Sequence, residues 1–253
     1  MTKFIGIIPA RYASTRFPAK PLAMLGGKPV IEHVYTQAQK ALDDVAVATD
    51  DRRIYDAVTA FGGRAVMTRA DHQSGTDRVR EAYHNLNSDA DVVINIQGDE
   101  PFIKPEQISA LCGCFDNPDT DIATLARRFN PADGFEALFD PNVVKVVFGA
   151  KGNALMFSRS ILPYVRGVDW KQWLDKAVFH THVGIYAYRA PVLDAISALP
   201  RSPLEIAESL EQLRWLENGY RITVAVTGFK SIGIDTPADL QAAEEFLKTM
   251  DKK

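Results

Sequence analysis

The chain is short of cysteine, of charge of one sign and of long apolar runs, and each shortage removes a class of protein. Only Cys112 and Cys114 occur, on a stretch that reads as helix, where side chains two positions apart diverge and do not meet in a relaxed disulfide. A disulfide-stapled secreted scaffold is therefore not expected, and reduced thiols in a cytoplasmic protein are. The 29 basic and 32 acidic residues leave a formal charge of -3, so nothing draws the whole chain to nucleic acid or to an anionic membrane. No apolar run approaches the ~20 residues that span a bilayer, and membrane insertion is not expected. The opening Met1-Thr2-Lys3 leads into a run that stops at Pro9-Ala10-Arg11, too short for a secretory signal core. Neither G-x-x-x-x-G-K-[ST] nor G-x-G-x-x-G is present, which sets aside ordinary P-loop and dinucleotide chemistry. Internal repeats and low-complexity segments are also missing.

What is present is an alternation of strand-like and helix-like segments. Phe4 to Ile8, Val45 to Thr49, Ala65 to Met67 and Asp91 to Ile96 have the length and branched content of buried parallel strands. Between them, Val30, Ile31, Val34, Ala38 and Ala41 recur at helical spacing. Asp51 is placed to cap a helix ending at Gly62-Gly63, and a third helix runs through Asp77 to Leu86. This rhythm predicts a mostly parallel α/β sheet with helices on both faces. After Phe115 the rhythm changes. Val143 to Phe148 and Ala154 to Ser158 flank a turn-rich spacer and predict an antiparallel pair, and Val183 to Tyr188 and Tyr220 to Val226 return as strands. Ser202-Pro203-Leu204-Glu205 combines a capping box with a first-turn proline. It predicts one helix to Gly219, with Leu204, Ala207, Leu210, Leu213 and Leu216 inward. Thr236-Pro237-Ala238-Asp239 repeats the capping logic before a last helix. The expected organisation is a single domain, 1–253, with an excursion around 155–200 that carries Trp170 and Trp173 and is suited to dimerisation.

The residues that suggest chemistry gather after strands. Pro9-Ala10-Arg11-Tyr12-Ala13-Ser14-Thr15-Arg16-Phe17-Pro18-Ala19-Lys20-Pro21 leaves the carboxyl end of the first strand, where open α/β sheets hold ligands. Arg11, Arg16 and Lys20 among small residues read as an anion-binding loop for a polyphosphate. Asp99, in Gln97-Gly98-Asp99-Glu100-Pro101, follows another buried strand, and Asp235 precedes the last helix. Two such carboxylates can converge on one Mg2+, which takes one or two carboxylates and completes its shell with water and phosphate. Taken alone, Asp99 is equally a turn former and Asp235 equally a cap. His180 and His182 alternate on a strand without the cysteine or third histidine of a structural zinc site, so contact of His182 with a sugar hydroxyl or carboxylate is preferred. His72 stands in a polar loop within reach of a ligand. Glu208, Glu211 and Gln212 share one side of the predicted Pro203 helix, which exposed helix polarity also explains.

With these segments in place the chain resembles the 3-deoxy-manno-octulosonate (KDO) cytidylyltransferase family, also called CMP-KDO synthetases. The match is carried by residues 9–21, by Thr68-Arg69-Ala70-Asp71-His72-Gln73-Ser74-Gly75-Thr76-Asp77-Arg78, and by Gln97 to Pro101. Phe157-Ser158-Arg159, His182-Val183-Gly184-Ile185-Tyr186, Ser202 to Glu205, Leu210-Glu211-Gln212-Leu213-Arg214 and Gly233-Ile234-Asp235-Thr236-Pro237 complete it. Order and spacing agree along essentially the whole chain. Phe17, Ala19 and Val183 depart from the usual Leu, Gly and Leu, and no charged position is affected.

The resemblance implies a nucleotidyltransferase (Rossmann-like) fold, a homodimer, Mg2+ dependence, and transfer of CMP from CTP to KDO with release of pyrophosphate. That reaction is a cytoplasmic step of lipopolysaccharide biosynthesis. By resemblance Arg11, Lys20, Asp99 and Asp235 are catalytic, with Asp99 and Asp235 the metal ligands. Pro9, Ala10, Arg11, Ser14, Arg16, Lys20, Arg69, Ser74, Gly75, Arg78 and Gln97 bind the nucleotide. Gln97, Arg159, His182, Tyr186, Glu211 and Gln212 bind the sugar. The competing readings are a cytidylyltransferase for 8-amino-KDO or another acidic sugar, such as a sialic acid, and a non-catalytic nucleotide-binding regulator. The family's first loop, as spaced here, counts against the sialic acid branch, and the intact Lys20, Asp99 and Asp235 count against the regulator.

Overall fold

Apolar runs free of charge become strands where both faces are covered, and the computed structural model, which describes residues 2–13, 16–230 and 232–250, puts them at the centre of two compact units. One unit comprises 1–109 with 231–253, the other 110–230. The segment 155–200 lies wholly within the second.

In the first unit the strands are β1 (Phe4–Ala10), the short antiparallel pair β2 (Met24–Leu25) and β3 (Lys28–Pro29), β4 (Val45–Thr49), β5 (Ala65–Met67) and β6 (Val92–Asn95). The order β6-β1-β4-β5 is parallel throughout, with Ile7 opposite both Ala46 and Asn95. Ile5, Ile7, Ile8, Val47, Val93 and Ile94 are fully buried. Gly6 allows close packing, since a Cβ there would lie 2.8 Å from Leu42 Cδ1. The connecting helices are α1 (Val30–Gln39), α2 (Arg52–Ala60) and α3 (Gly75–Asn85). Asp51 caps α2 by accepting from Arg53 N at 2.9 Å, and Gly62, with φ 84°, lets the chain leave the helix. Because the four strands are parallel, the loops after β1, β5 and β6 emerge at one edge. The C-terminal helix Pro237–Met250 opens with a reciprocal cap: Thr236 Oγ1 accepts from Asp239 N at 3.2 Å and Asp239 Oδ2 accepts from Thr236 N at 2.8 Å.

The next helix, α4 (Pro105–Gly113), carries Cys112, and Cys114 begins the 3-10 turn Cys114–Asp116. Both thiols are free, and burial pushes Cys112 up to about 11, so neither is an activated nucleophile.

The second unit is built on β7 (Ile122–Arg128), flanked by an antiparallel and a parallel neighbour. It contains α5 (Phe135–Phe139), the hairpin β8 (Lys145–Phe148) and β9 (Ala154–Ser158), α6 (Trp173–Lys176), β10 (His180–Arg189) and α7 (Ala190–Ser197). It closes with α8 (Pro203–Glu208), α9 (Glu211–Glu217) and β11 (Ile222–Thr227), β11 pairing parallel and β10 antiparallel with β7. The pattern reading assigns no element to 122–128. That segment is alanine-rich and ends in two arginines, so it lacks a branched run, although its first five residues are buried.

Two expectations are corrected here. The helix predicted from Ser202 to Gly219 is two helices, broken at Ser209, whose φ of 51° and ψ of 47° are left-handed. Leu204 is 40% exposed while Leu213 is fully buried, so one apolar face does not run through both pieces. The break is held by Arg159, whose Nε donates to Glu208 O at 2.6 Å, which takes up a carbonyl the helix leaves open. Trp173, expected to need a partner subunit, is buried in this chain's own cluster with Phe129, Leu138 and Phe179. Its companion Trp170 remains 45% exposed, beside Phe135 and the half-exposed Phe139.

Candidate active site

At the carboxyl edge of the first unit's strands lies a cavity of about 280 Å3. The loop after β1 contributes Pro9, Ala10, Arg11, Arg16, Lys20 and Pro21, and the loop after β5 contributes His72, Gln73, Ser74, Gly75 and Arg78. Gln97, Gly98 and Asp99 follow β6, and Asp235 comes from far along the chain. Ser14 lies outside the described residues. A backbone bond sets the register of the two carboxylates, with Ile234 N donating to Asp99 O at 2.9 Å. Gly98 is needed where it stands, because a Cβ would come within 2.7 Å of the Pro9 carbonyl oxygen.

Lys20 Nζ is 2.6 Å from Asp99 Oδ2 and 3.1 Å from Asp235 Oδ1, and Arg16 Nη1 is 3.3 Å from Asp235 Oδ2. Both carboxylates thus aim at one point, where they now share an ammonium. Lys20 is only 15% exposed, whereas Arg16 is 68% exposed and open to a ligand. Lys20 is set by a tight turn: Ala19, at φ 57°, donates from its backbone N to Tyr12 O at 2.9 Å, and Leu22 N returns to Ala19 O. A left-handed alanine is strained, which gives a physical meaning to the departure from glycine at this position.

Ser74 caps α3 by accepting from Asp77 N at 3.1 Å, and Ser74 and Gly75 bring the start of this helix to the cavity wall. Arg78 is 4% exposed and largely committed: Nη1 donates to Thr68 Oγ1 at 2.6 Å and Nη2 to Asp50 Oδ2 at 3.0 Å. It braces the wall more than it offers a free cation. Arg69, expected at the nucleotide, does not line the cavity. It is exposed and its guanidinium makes a bidentate pair with Asp71.

The expected sugar residues belong to the second unit, apart from Gln97. The strand β10 bulges against β7, its register passing from Val183 opposite Leu125 to Tyr186 opposite Thr124. The Thr124 hydroxyl donates to Ile185 O at 2.8 Å and lies 3.0 Å from His182 Nε2. Loss of water around His182 pushes its imidazole down to about 3, so the ring is neutral. The rings of His182 and Tyr186 are 5.3 Å apart, and Trp215 meets Tyr186 edge-on at 5.1 Å. Burial, with Tyr188 and Glu211 nearby, raises the Tyr186 phenol well above its ordinary value. Among the buried side-chain atoms, Tyr186 Oη, Gln212 Nε2 and Trp215 Nε1 have no hydrogen-bond partner. Buried unsatisfied donors of this kind suit a ligand rich in hydroxyls. Glu211 accepts from Arg214 Nη2 at 2.8 Å. Arg159 does not join the cluster, its guanidinium being bound to the carbonyls of Glu208, Pro141 and Ser209. Glu208 likewise faces β9, accepting from Ser158 Oγ at 2.6 Å and Arg159 N at 2.8 Å, so the three-residue polar face of one helix does not form. Thr124 and Trp215 escape the sequence reading, the first because β7 itself does.

His180 packs its ring at a tilt against Phe148, 4.8 Å away, and among the described residues no group of three or more His, Cys, Asp or Glu gathers as a metal site.

Parallel strands, a cationic loop at their carboxyl edge and two converging carboxylates define a nucleotidyltransferase-type α/β protein. The cytidylyltransferase family model matches residues 5–222. The chain is 61% identical over 246 residues to the 3-deoxy-manno-octulosonate cytidylyltransferase of Phocaeicola vulgatus, covering 97% of this chain and 98% of that one. It is 60% identical to that of Bacteroides thetaiotaomicron, with the same coverage. A solved CMP:2-keto-3-deoxy-manno-octonic acid synthetase complexed with CTP superposes with a TM-score of 0.90 at 44% identity, over 98% of this chain and all of the other. The chain belongs to the 3-deoxy-manno-octulosonate cytidylyltransferase family.

Proposed function

We propose that this chain transfers CMP from CTP to KDO, releasing pyrophosphate and supplying the activated sugar for lipopolysaccharide biosynthesis in the cytoplasm. The observation that carries the reading is the convergence of Lys20, Asp99 and Asp235 beside the open Arg16 in one cavity. A sugar hydroxyl attacks the α-phosphorus of CTP and the oxygen bridging to the β-phosphate departs with pyrophosphate, so in-line positioning and charge neutralisation are the main demands. Arg11, Arg16 and Lys20 meet the triphosphate with fixed positive charge. The α3 N-terminus behind Ser74 adds N–H donors.

Magnesium is part of the proposal. Asp99 and Asp235, both within reach of a single ammonium, form the two-carboxylate set that suits Mg2+ when phosphate oxygens complete its shell. Held there, the ion supplies Lewis-acid neutralisation at the α-phosphate. In the second unit, Tyr186, Gln212 and Trp215 offer donors to the hydroxyls of an acidic sugar, with neutral His182 shaping the wall.

Pyrophosphate release from CTP, measured side by side with KDO, 8-amino-KDO and a sialic acid, tests the reading. KDO is expected to be the preferred acceptor, and release with none of the three would refute it. A homodimer also belongs to the proposal, supported by the half-exposed aromatic pair Phe139 and Trp170, whose rings meet edge-on. Light scattering at micromolar concentration is expected to give twice the chain mass.

A further inference from the structure

Glu81 stands outside the cavity, seven residues along from Ser74 and so on the same side of α3. Its carboxylate meets the preceding loop at two points. Arg69 N donates to both oxygens at 3.2 Å, and Oε2 pairs with His72 Nε2. Oε1 also accepts from Asn85 Nδ2 at 3.4 Å, and Asn85 in turn donates to Met67 O at the end of β5. His72 is the residue of this loop that reaches from Glu81 to the cavity wall, beside Gln73, Ser74 and Gly75. Burial pushes the Glu81 carboxyl up, but the His72 and Arg69 bonds outweigh it and leave it below its ordinary value, as an ionised hub. The Arg69 guanidinium pairs with Asp71 within the loop, while its backbone N–H reaches Glu81 on the helix.

We propose that Glu81 is a positioning residue for nucleotide binding: it folds the loop 69–73 back along α3 and so holds His72 in the cavity wall. The inference rests on the nucleotide reading of this cavity. Without the carboxylate, Arg69 N–H and the His72 ring lose a shared anchor and the loop between them samples open conformations.

The test is CTP binding by calorimetry together with steady-state kinetics on Glu81→Ala, Glu81→Gln, His72→Ala and the Glu81→Ala/His72→Ala double variant. Glu81→Ala is expected to weaken CTP binding about tenfold, with the KM for KDO and kcat at saturating CTP within about twofold of wild type. Glu81→Gln keeps the shape and one acceptor but loses the charge, and should weaken binding less, by about threefold. If Glu81 acts through His72, the double variant is no weaker than the worse single one, because contacting residues in one network are not additive. Unchanged CTP affinity in both Glu81 variants would overturn the proposal, and so would independent, multiplicative losses or an equal rise in both Michaelis constants. Should Glu81→Ala fail to fold, Glu81→Gln and His72→Ala carry the same comparison with their own double variant. Wild-type protein that binds no CTP would overturn the nucleotide reading itself, an outcome distinct from all of these.

Discussion

Two sets of candidate site residues, Lys20 with Asp99 and Asp235 in one unit and Tyr186 with Gln212 in the other, are held in opposite ways. In the first unit they are charged, partly exposed and already paired with one another, as Lys20 is with Asp99 and Asp235. In the second they are neutral, buried and partly unpaired, as Tyr186 Oη and Gln212 Nε2 are among aromatic rings. A polyanion is met by cations that exchange one partner for another at little desolvation cost, so an open loop serves. A neutral hydroxyl is recognised only where leaving a donor unpaired is expensive, and that requires a buried, rigid wall.

The largest expected effect breaks the charged side. Asp99→Asn and Asp235→Asn should each lower turnover by about a thousandfold while the melting temperature stays within a few degrees, since each removes an anion at nearly constant volume. Near-normal turnover at saturating Mg2+ would separate these carboxylates from the metal.

A smaller effect sharpens the contrast. Gln212→Ala should raise the KM for KDO by about ten- to a hundredfold and leave that for CTP almost unchanged, whereas Lys20→Ala should damage CTP use and kcat. Michaelis constants of both substrates for both variants decide it, and a raised CTP constant in Gln212→Ala would contradict the division.

The buried wall also carries a pH signature. The unfolded chain binds a proton at His182 near pH 6.5, but the folded chain does not until about pH 3. Stability from this group is therefore complete above pH 6.5 and falls as pH drops from 6.5 towards 3, by at most about 1.4 kcal/mol per pH unit. Denaturant titrations across that range should show a shallower acid slope in His182→Asn than in wild type.

The smallest effect concerns the strained turn beneath Lys20. Ala19→Gly should stabilise the fold by about 1 kcal/mol or less, because glycine adopts the left-handed conformation freely, a gain partly offset by the greater entropy it gives the unfolded chain. An unchanged or lower unfolding midpoint would argue that the Tyr12–Ala19 backbone bond, not strain, dominates the turn.

Local signals made the first unit readable. Its strands are continuous apolar runs, and the caps at Asp51 and Ser202 and before the C-terminal helix use short-range bonds that depend on neighbours in sequence. The candidate cations and Asp99 follow from the same logic, since residues after parallel strands must emerge at one edge, whereas Asp235 reaches that edge only through the fold. The family, too, was legible from motif order alone, as the relatives bear out. Other features needed the tertiary structure. Whether 122–128 is a strand depends on partners on both sides, not on its modest apolar run. The break at Ser209 depends on Arg159, some fifty residues away, taking up carbonyls that a continuous helix would have used itself. Arg69 and Arg159 illustrate the limit most plainly. An arginine in a motif announces charge, but only the folded chain decides whether its guanidinium faces a ligand or is consumed, as that of Arg69 is by Asp71 two residues on and that of Arg159 by backbone oxygens up to fifty residues away.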